Sequence, residues 1–407
     1  MHGSFIGRVK KLFLSVRKSV GRLLKGRAAV TLKAAVGPYV NRIVSDAILF
    51  NEIPSPTERE ALRADFILQR LSECGYPNSS IDDYGNVTAI VPAFDHTDEH
   101  TLLFADIRNE AYSPIDSMTR LEGGRVCGKG IAENSVGVAT LLVLAEYLAN
   151  NAIQYDRNIT LLFTSFDPGA QEVQPLEKFL RDWKEKLRLA VHVRGLELGR
   201  VEEQPMGTYK LSVTARTPEQ EVMGGKPAPS AISVLANVAF RLDSIRWDSE
   251  NNTFLNVARL EAGVGFGWYA SEGILELEIF SPDRNSLEMA KNAVCATIKS
   301  ISVETGAAVE IAVKTFLPAG NAEINSGLNA ILRSVVGRLR LKSRPVSIPG
   351  YTAFINSFDI PAVCIGITTG RKSFKEEYID IRPIETGFRL LLTFLEECTG
   401  RSEGGVR

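Results

Sequence analysis

Residues 101–110 read TLLFADIRNE, and the interpretation of the whole chain begins at this stretch. A run of apolar and β-branched residues leads directly into Asp106 and Arg108, which is the pattern of a buried strand and its carboxyl end. In an open α/β sheet, ligands bind outside the carboxyl ends of the strands. The two charged residues are two positions apart, so their side chains point to the same side of the strand. We therefore expect a carboxylate and a guanidinium together at a ligand-binding edge.

The composition is that of an ordinary globular protein. The chain has 407 residues, of which 44% are hydrophobic and 23% charged, and this length favours two domains over one. The five cysteines are odd in number and none has CxxC spacing, which argues against a disulfide framework and a cysteine-rich zinc site. No apolar run approaches the roughly 20 residues of a membrane-spanning helix. These features predict a cytoplasmic protein.

A basic arm, residues 1–38, precedes an acidic body. Residues 1–40 contain nine Lys and Arg side chains and no acid, which leaves 38 basic against 48 acidic side chains in the remainder. Apolar residues recur at helical spacing among the basic ones, which predicts a basic amphipathic helix. Two interpretations stay open, in which residues 1–36 lie on an anionic membrane surface or pack on a protein partner or on the body itself. A cleaved targeting segment is a third interpretation, and the acidic body argues against nucleic-acid binding.

From about Tyr39 the pattern becomes that of an α/β protein. Strand-like segments at 86–92 and 100–105 alternate with helical ones, and a long helix begins near Ser135. This alternation predicts a mostly parallel sheet with helices on both faces.

The middle of the chain has a different order of elements. Residues 205–315 follow the order strand, helix, strand, strand, helix, strand, which is that of a ferredoxin-like α+β unit. The sequence therefore predicts an inserted domain here, with the α/β domain divided between residues 39–204 and 316–400.

Five motifs in this order resemble a known family. They are IPSPTERE (53–60), DDYGNV (82–87), GKGIAENSVGVATLLVLAEYL (128–148), NVARLEAG (256–263) and EEYIDI (376–381). Over roughly residues 40–400, the chain resembles the aminoacylase, glutamate carboxypeptidase and peptidase T family of two-zinc exopeptidases and deacylases. The resemblance implies a zinc-exopeptidase-like fold and a homodimer formed through residues 205–315.

The resemblance also implies metal-binding positions, and this chain departs from the family at the first two of these positions along the chain. Asp106 stands where the family has a histidine ligand, and Arg108 stands where it has an aspartate. Glu133 occupies the position of the aspartate that bridges the two metals, one methylene longer, and Asn134 follows it.

The remaining positions are altered as well. Asp167 takes the place of the general-base glutamate, and Pro168 replaces the glutamate ligand that follows it. Glu197 matches the next acidic ligand, whereas Ser373 stands at the position of the final histidine.

From these departures we predict a pseudo-hydrolase that binds no cofactor and serves as a binding or scaffold protein. The chain has only four histidines, and no pair has metal-site spacing. Several carboxylates in one pocket need positive charge among them, which Arg108 could supply in place of the metals. The hypothesis makes Asp106, Arg108, Glu133, Asn134, Pro168, Glu197 and Ser373 vestigial metal-site positions.

The alternative is a metal-dependent hydrolase of peptide or N-acyl amino-acid amide bonds. In it, Asp106, Glu133 and Glu197 bind the metal and Asp167 acts as the general base. Carboxylate oxygens suit Mg²⁺ or Mn²⁺ better than Zn²⁺, although all three metals are candidates.

Overall fold

The computed structural model describes residues 36–53, 60–108, 118–165, 174–219, 221, 229–245, 252–373 and 375–400. The basic arm therefore lies outside the described residues except for positions 36–38, and so do Asp167 and Pro168. Within the described ranges, no helix has the length and apolar character needed to cross a membrane.

Nine helices are labelled in the described part of the chain, and a π-helical turn at Ile131–Ser135 precedes the third. The helices are α1 (36–52), α2 (Ala61–Glu73), α3 (Val136–Asn150), α4 (Pro175–Trp183), α5 (Ala231–Asp243), α6 (Arg284–Thr305), α7 (Ser326–Arg338), α8 (Tyr351–Asn356) and α9 (Ile384–Thr399).

Sixteen strands are labelled in the same residues. They are β1 (Ser80–Ile81), β2 (Val87–Val91), β3 (His100–Asp106), β4 (Arg120–Glu122), β5 (Arg125–Cys127), β6 (Asn158–Thr164), β7 (Leu187–Arg194), β8 (Arg200–Glu202), β9 (Gly207–Arg216), β10 (Phe254–Ala262), β11 (Glu272–Ser281), β12 (Ala308–Leu317), β13 (Arg344–Val346), β14 (Ala362–Gly366), β15 (Gly370–Lys372) and β16 (Glu377–Asp380).

The central sheet has six strands in the order β1-β2-β6-β3-β7-β14. Strands β6, β3, β7 and β14 are parallel, whereas β2 runs antiparallel to β6 and β1 antiparallel to β2. Every residue of β3 is buried, as expected for a parallel strand that is covered on both faces. The predicted mostly parallel sheet is confirmed, and β3 lies inside it with its carboxyl end at the ligand-binding edge.

The two faces of β3 pack against different helices. Leu103 and Ala105 belong to the core that includes α3, whereas Leu102 and Phe104 belong to a second core with residues of α4 and α8. Asp106 follows Phe104 by two positions, so its side chain lies on the α4 and α8 side of the sheet.

The second sheet has four antiparallel strands in the order β10-β11-β9-β12, with α5 and α6 packed on one face. This is the ferredoxin-like arrangement, because the connections run β9-α5-β10-β11-α6-β12. The inserted α+β unit of the predicted fold class is confirmed. The domain boundaries that we placed at 38, 204 and 315 stay predictions.

A glycine at the end of β14 shapes the segment that follows β7. A Cβ at Gly366 would lie 2.1 Å from the carbonyl oxygen of Leu196 and 2.6 Å from the carbonyl carbon of Glu197. Such distances are sterically forbidden, so only glycine allows this backbone to pass so closely. The contact fixes Glu197 near the ends of the central strands.

Candidate functional site

The candidate site lies at the carboxyl ends of β3 and β7, above a row of three paired residues. Phe104 is opposite His192 in the sheet register, and His192 is opposite Cys364 of β14. The rings of Phe104 and His192 stack with their centroids 4.8 Å apart, and the Tyr351 ring lies 4.5 Å from His192 and 5.5 Å from Phe104. This packing holds Tyr351, the first residue of α8, over the end of β3.

Asp106 binds both Arg108 and Tyr351. Its Oδ1 accepts the backbone N–H of Arg108 at 2.8 Å, and its Oδ2 accepts Nη2 of the same residue at 2.9 Å. The Nε of Arg108 lies 3.3 Å from each carboxylate oxygen, and the Tyr351 hydroxyl donates to Oδ2. Asp106 is 4% exposed, whereas the Arg108 side chain keeps 30% of its surface accessible. The guanidinium is therefore fixed on a buried carboxylate with one side open.

The electrostatics keep this group charged. Burial alone would lower the pKa of Arg108, but the Asp106 carboxylate and the Tyr351 oxygen together raise it above its ordinary value. Burial and the Asp106 charge raise the pKa of Tyr351 well above its ordinary value. The arginine is thus a permanent cation and the tyrosine a neutral hydrogen-bond donor.

A second arginine lies behind the same strand end. Arg63 of α2 is fully buried, and its Nη1 donates to the carbonyl of Ile107 at 2.7 Å. Its Nε donates to the carbonyl of Ile53 at 3.0 Å, and its guanidinium lies 4.5 Å from the centroid of the Phe50 ring. Arg63 therefore joins the end of α1 to the residue between Asp106 and Arg108.

Glu197 is held by arginines of its own. Arg200, whose side chain is 2% exposed, bonds to Glu197 and to the buried Glu202, and Nη1 of Arg194 lies 3.6 Å from Glu197 Oε2. Burial would raise the pKa of Glu197, but the charges of Arg200 and Arg194 outweigh it and lower the pKa. Glu197 also has a left-handed backbone conformation with φ of 71°, which is unusual for a residue with a side chain.

The other predicted positions have mixed outcomes. Asn134 joins the site, because its Nδ2 donates to the backbone carbonyl of Arg108 at 2.7 Å. Ser373 bonds to the carbonyl of Glu376 within its own exposed loop. The backbone of Glu133 lies in the π-helical turn, but its side chain is outside what the structure describes.

Several site residues were not predicted from the sequence. They are Arg63, Arg194, Arg200 and Tyr351. The burial of Arg63 could have been predicted, since Arg63 lies four and eight positions before Ile67 and Leu71 on the buried face of α2. Tyr351 has no such signal, because it is 245 positions away from Asp106 and belongs to no motif.

The buried pair of Cys364 and His192 resembles a nucleophile and its base but lacks the required charges. The Cys364 sulfur lies 3.8 Å from His192 Nδ1. Burial raises the pKa of the Cys364 thiol to about 11. Burial, with Arg194 and Arg200, lowers the pKa of His192 well below its ordinary value. A neutral thiol beside a neutral imidazole supports packing and does not support nucleophilic catalysis.

Acid is expected to destabilise the protein through His192. Its pKa is lowered in the folded state, so below about pH 6.5 the unfolded chain binds a proton that the folded protein does not. The free energy of unfolding should therefore fall by about 1.4 kcal/mol for each pH unit below that value. Urea unfolding at pH 7.5 and 5.5 measures this loss of stability. In His192→Phe, the loss between the two pH values should be smaller by about 1.4 kcal/mol, because the titrating imidazole is absent. An equal loss in both proteins would contradict the assignment.

The sequence matches no protein-family model and no curated protein sequence. Solved structures do match. Aminopeptidase PepT from Bacillus cereus has 14% identity and a TM-score of 0.68, with 88% of this chain and 98% of that chain covered. An M20-family dinuclear metal-binding peptidase from Bacillus subtilis has 14% identity and a TM-score of 0.61, with 88% and 97% covered. A hydantoinase/carbamoylase-family amidase from Burkholderia multivorans has 12% identity and a TM-score of 0.62, with 88% and 97% covered. The chain therefore has the fold of these peptidases and amidases.

The prediction that this protein has no cofactor is wrong, because a protein with the same fold binds metal. The Bacillus subtilis neighbour is a dinuclear metal-binding peptidase. No group of three His, Cys, Asp or Glu side chains that could hold a metal occurs among the described residues. The oxygens of Asp106 and Glu197 are engaged by Arg108 and Arg200. These described residues therefore do not fit a metal pair.

Proposed function

We propose that this protein acts on small amides that carry a carboxylate, such as short peptides or N-acyl amino acids, and that Arg108 receives this carboxylate. The observation that carries the proposal is the orientation of Arg108. Its Nε and Nη2 bond to Asp106, while 30% of the side-chain surface stays accessible. A fixed, permanently charged guanidinium is well suited to a bidentate bond with a carboxylate.

The ligand class also agrees with the fold neighbours. One neighbour is an aminopeptidase and another belongs to a hydantoinase/carbamoylase family of amidases. Both names refer to chemistry at amide bonds. A ligand that carries both a carboxylate and an amide therefore agrees with the geometry of Arg108 and with the names of the fold neighbours.

Hydrolysis of the bound amide is the activity that the neighbours favour over the non-catalytic scaffold role. The comparison with a dinuclear metal-binding peptidase supports a metal-dependent reaction. Asp106 and Glu197 are engaged by arginines, whereas Glu133, a candidate metal ligand, and Asp167, the candidate general base, have side chains outside the described residues. A retained role in ligand binding without turnover is the second candidate, because Arg108 repels a cation at Asp106.

Binding is tested by calorimetry with the full chain and two matched ligands, N-acetylalanine and N-acetylalaninamide. The second has a neutral carboxamide in place of the carboxylate, and we expect it to bind at least about ten-fold more weakly. Arg108→Gln should remove the preference, whereas Arg216→Gln, in an exposed ion pair of the inserted sheet, should not. Equal affinities for the two ligands in the wild-type protein would overturn the proposal.

Turnover is tested on the same N-acetylalanine and on dipeptides after incubation with Zn²⁺ or Mn²⁺. Stoichiometric metal, with turnover that Asp167→Asn abolishes, would support the hydrolase. Tight binding of the ligand without turnover in any metal would support the binding role.

A further inference from the structure

A second arginine lies at the end of the strand next to β3. Phe104 and His192 are opposite each other in the register, and Asp106 and Arg194 each follow two positions later on the same face. Neighbouring strands are about 4.8 Å apart, so Arg194 begins one strand away from the carboxylate that holds Arg108.

Arg194 is only loosely engaged. Among the described residues, its ion pair is with Glu197, at 3.6 Å, which is too long for a direct hydrogen bond. Glu197 is itself bonded closely to Arg200, which also bonds to Glu202. The Arg194 side chain keeps 22% of its surface accessible. Its guanidinium therefore has donors to offer to a further anion.

Among the described side chains, guanidinium groups also outnumber carboxylates around these strand ends. The described carboxylates Asp106, Glu197 and Glu202 lie among the guanidinium groups of Arg63, Arg108, Arg194 and Arg200. Two of these cations, Arg108 and Arg194, are accessible to a ligand. A partly desolvated cation without a close partner favours an anion beside it.

We infer that Arg194 is a second anion-binding group of this site, so that the ligand carries an anionic side chain in addition to the carboxylate bound by Arg108. This inference rests on the proposed function, since it places the amide ligand by its first carboxylate. Arg108 holds that carboxylate, and Arg194 receives the second anionic group from the neighbouring strand. A carboxylate and a phosphate share the required chemistry, and the ligand is therefore an N-acylated or peptide-linked residue of acidic or phosphorylated type.

Matched pairs of ligands distinguish these sources. N-Acetylglutamate and N-acetylglutamine have the same shape and differ by one negative charge. N-Acetyl-O-phosphoserine and N-acetylserine provide the phosphate arm. With the wild-type full chain, we expect the member that carries the second anionic group to bind about ten-fold more tightly in at least one pair.

The variants assign this preference to Arg194. Arg194→Gln should reduce the affinity for the ligand with the second anionic group to that of its partner with the α-carboxylate alone, and it should leave the affinity for that partner unchanged. Arg194→Lys should restore part of the difference, and Arg216→Gln should change neither affinity. Arg108→Gln should weaken both members of the pair. The melting temperature of each variant confirms that it is folded.

The outcomes separate the two proposals. If the wild-type protein binds N-acetylglutamine and N-acetylserine but does not prefer the ligands with the second anionic group, the inference fails and the proposed function stands. A preference that survives in Arg194→Gln also overturns the inference. If none of the four ligands binds, both fail.

Discussion

Replacing Arg108 with alanine is expected to lower the free energy of unfolding by about 3–5 kcal/mol. The variant leaves Asp106, which is 4% exposed, without the guanidinium that bonds to both of its oxygens. An unpaired buried carboxylate is costly because water is no longer available to solvate it. The Tyr351 hydroxyl and the backbone N–H of Arg108 still donate to Asp106, so we expect the lower end of this range. Urea unfolding at pH 7.5 measures the change.

Two controls separate this effect from the general loss of an arginine. Arg181→Ala removes an exposed helical ion pair with Glu177 and should cost less than about 1 kcal/mol. Adding Asp106→Asn to Arg108→Ala should destabilise by less than the sum of the single changes, because no buried charge is then left alone. If Arg108→Ala matched Arg181→Ala, the pair would not be a buried structural unit.

The fold was predictable because each signal was local or repeated. The apolar run of β3 predicted a buried strand, and the change in the order of elements near residue 205 predicted the inserted sheet. Hydrophobic periodicity reports these features directly, because it follows from which face of an element is covered. The π-helical turn before α3 was not predicted, since no such periodicity marks a turn of five residues.

The candidate site was predictable only where its contacts are short in sequence. Arg108 follows Asp106 by two positions just beyond the end of β3, so their pairing could be predicted from the geometry of an extended chain. Tyr351 reaches the same carboxylate from 245 positions away through the packing of α8 on the sheet. Glu197 was expected among metal ligands, yet Arg200, only three residues later, bonds to its carboxylate, and the backbone of Glu197 is left-handed.

The expectation of no cofactor failed for a different reason. It came from the replacement of the family's metal ligands by Asp106, Pro168 and Ser373 and from the small number of histidines. It left the carboxylate oxygens, which Mg²⁺ and Mn²⁺ prefer, to the alternative hypothesis. The comparison with a dinuclear metal-binding peptidase rests on the fold, and a count of histidines gives no information about the fold.

The second large effect is expected from Arg63→Met, which should also lower the free energy of unfolding by about 3–5 kcal/mol. Arg63 is fully buried, and methionine would leave the carbonyl oxygens of Ile53 and Ile107 without their donors at 3.0 and 2.7 Å. Each unsatisfied buried acceptor costs about 1–3 kcal/mol. Burial lowers the pKa of Arg63 to about 10, against the opposing charges of Asp106 and Glu60, so the side chain is still a cation at neutral pH.

Arg42→Met, at a partly exposed ion pair on α1, is the matched control and should cost less than about 1 kcal/mol. A double-mutant cycle with Asp106→Asn then tests what the buried cation does for the site. If Arg63 stabilises the ionised carboxylate across Ile107, the two changes should couple by about 0.5–3 kcal/mol, because neutral asparagine no longer needs the charge. If the two effects on the free energy of unfolding were strictly additive, Arg63 would stabilise the protein only through its bonds to the two carbonyl groups. Coupling would mean that arginines on both sides of the strand stabilise the Asp106 side chain that holds Arg108 toward a ligand.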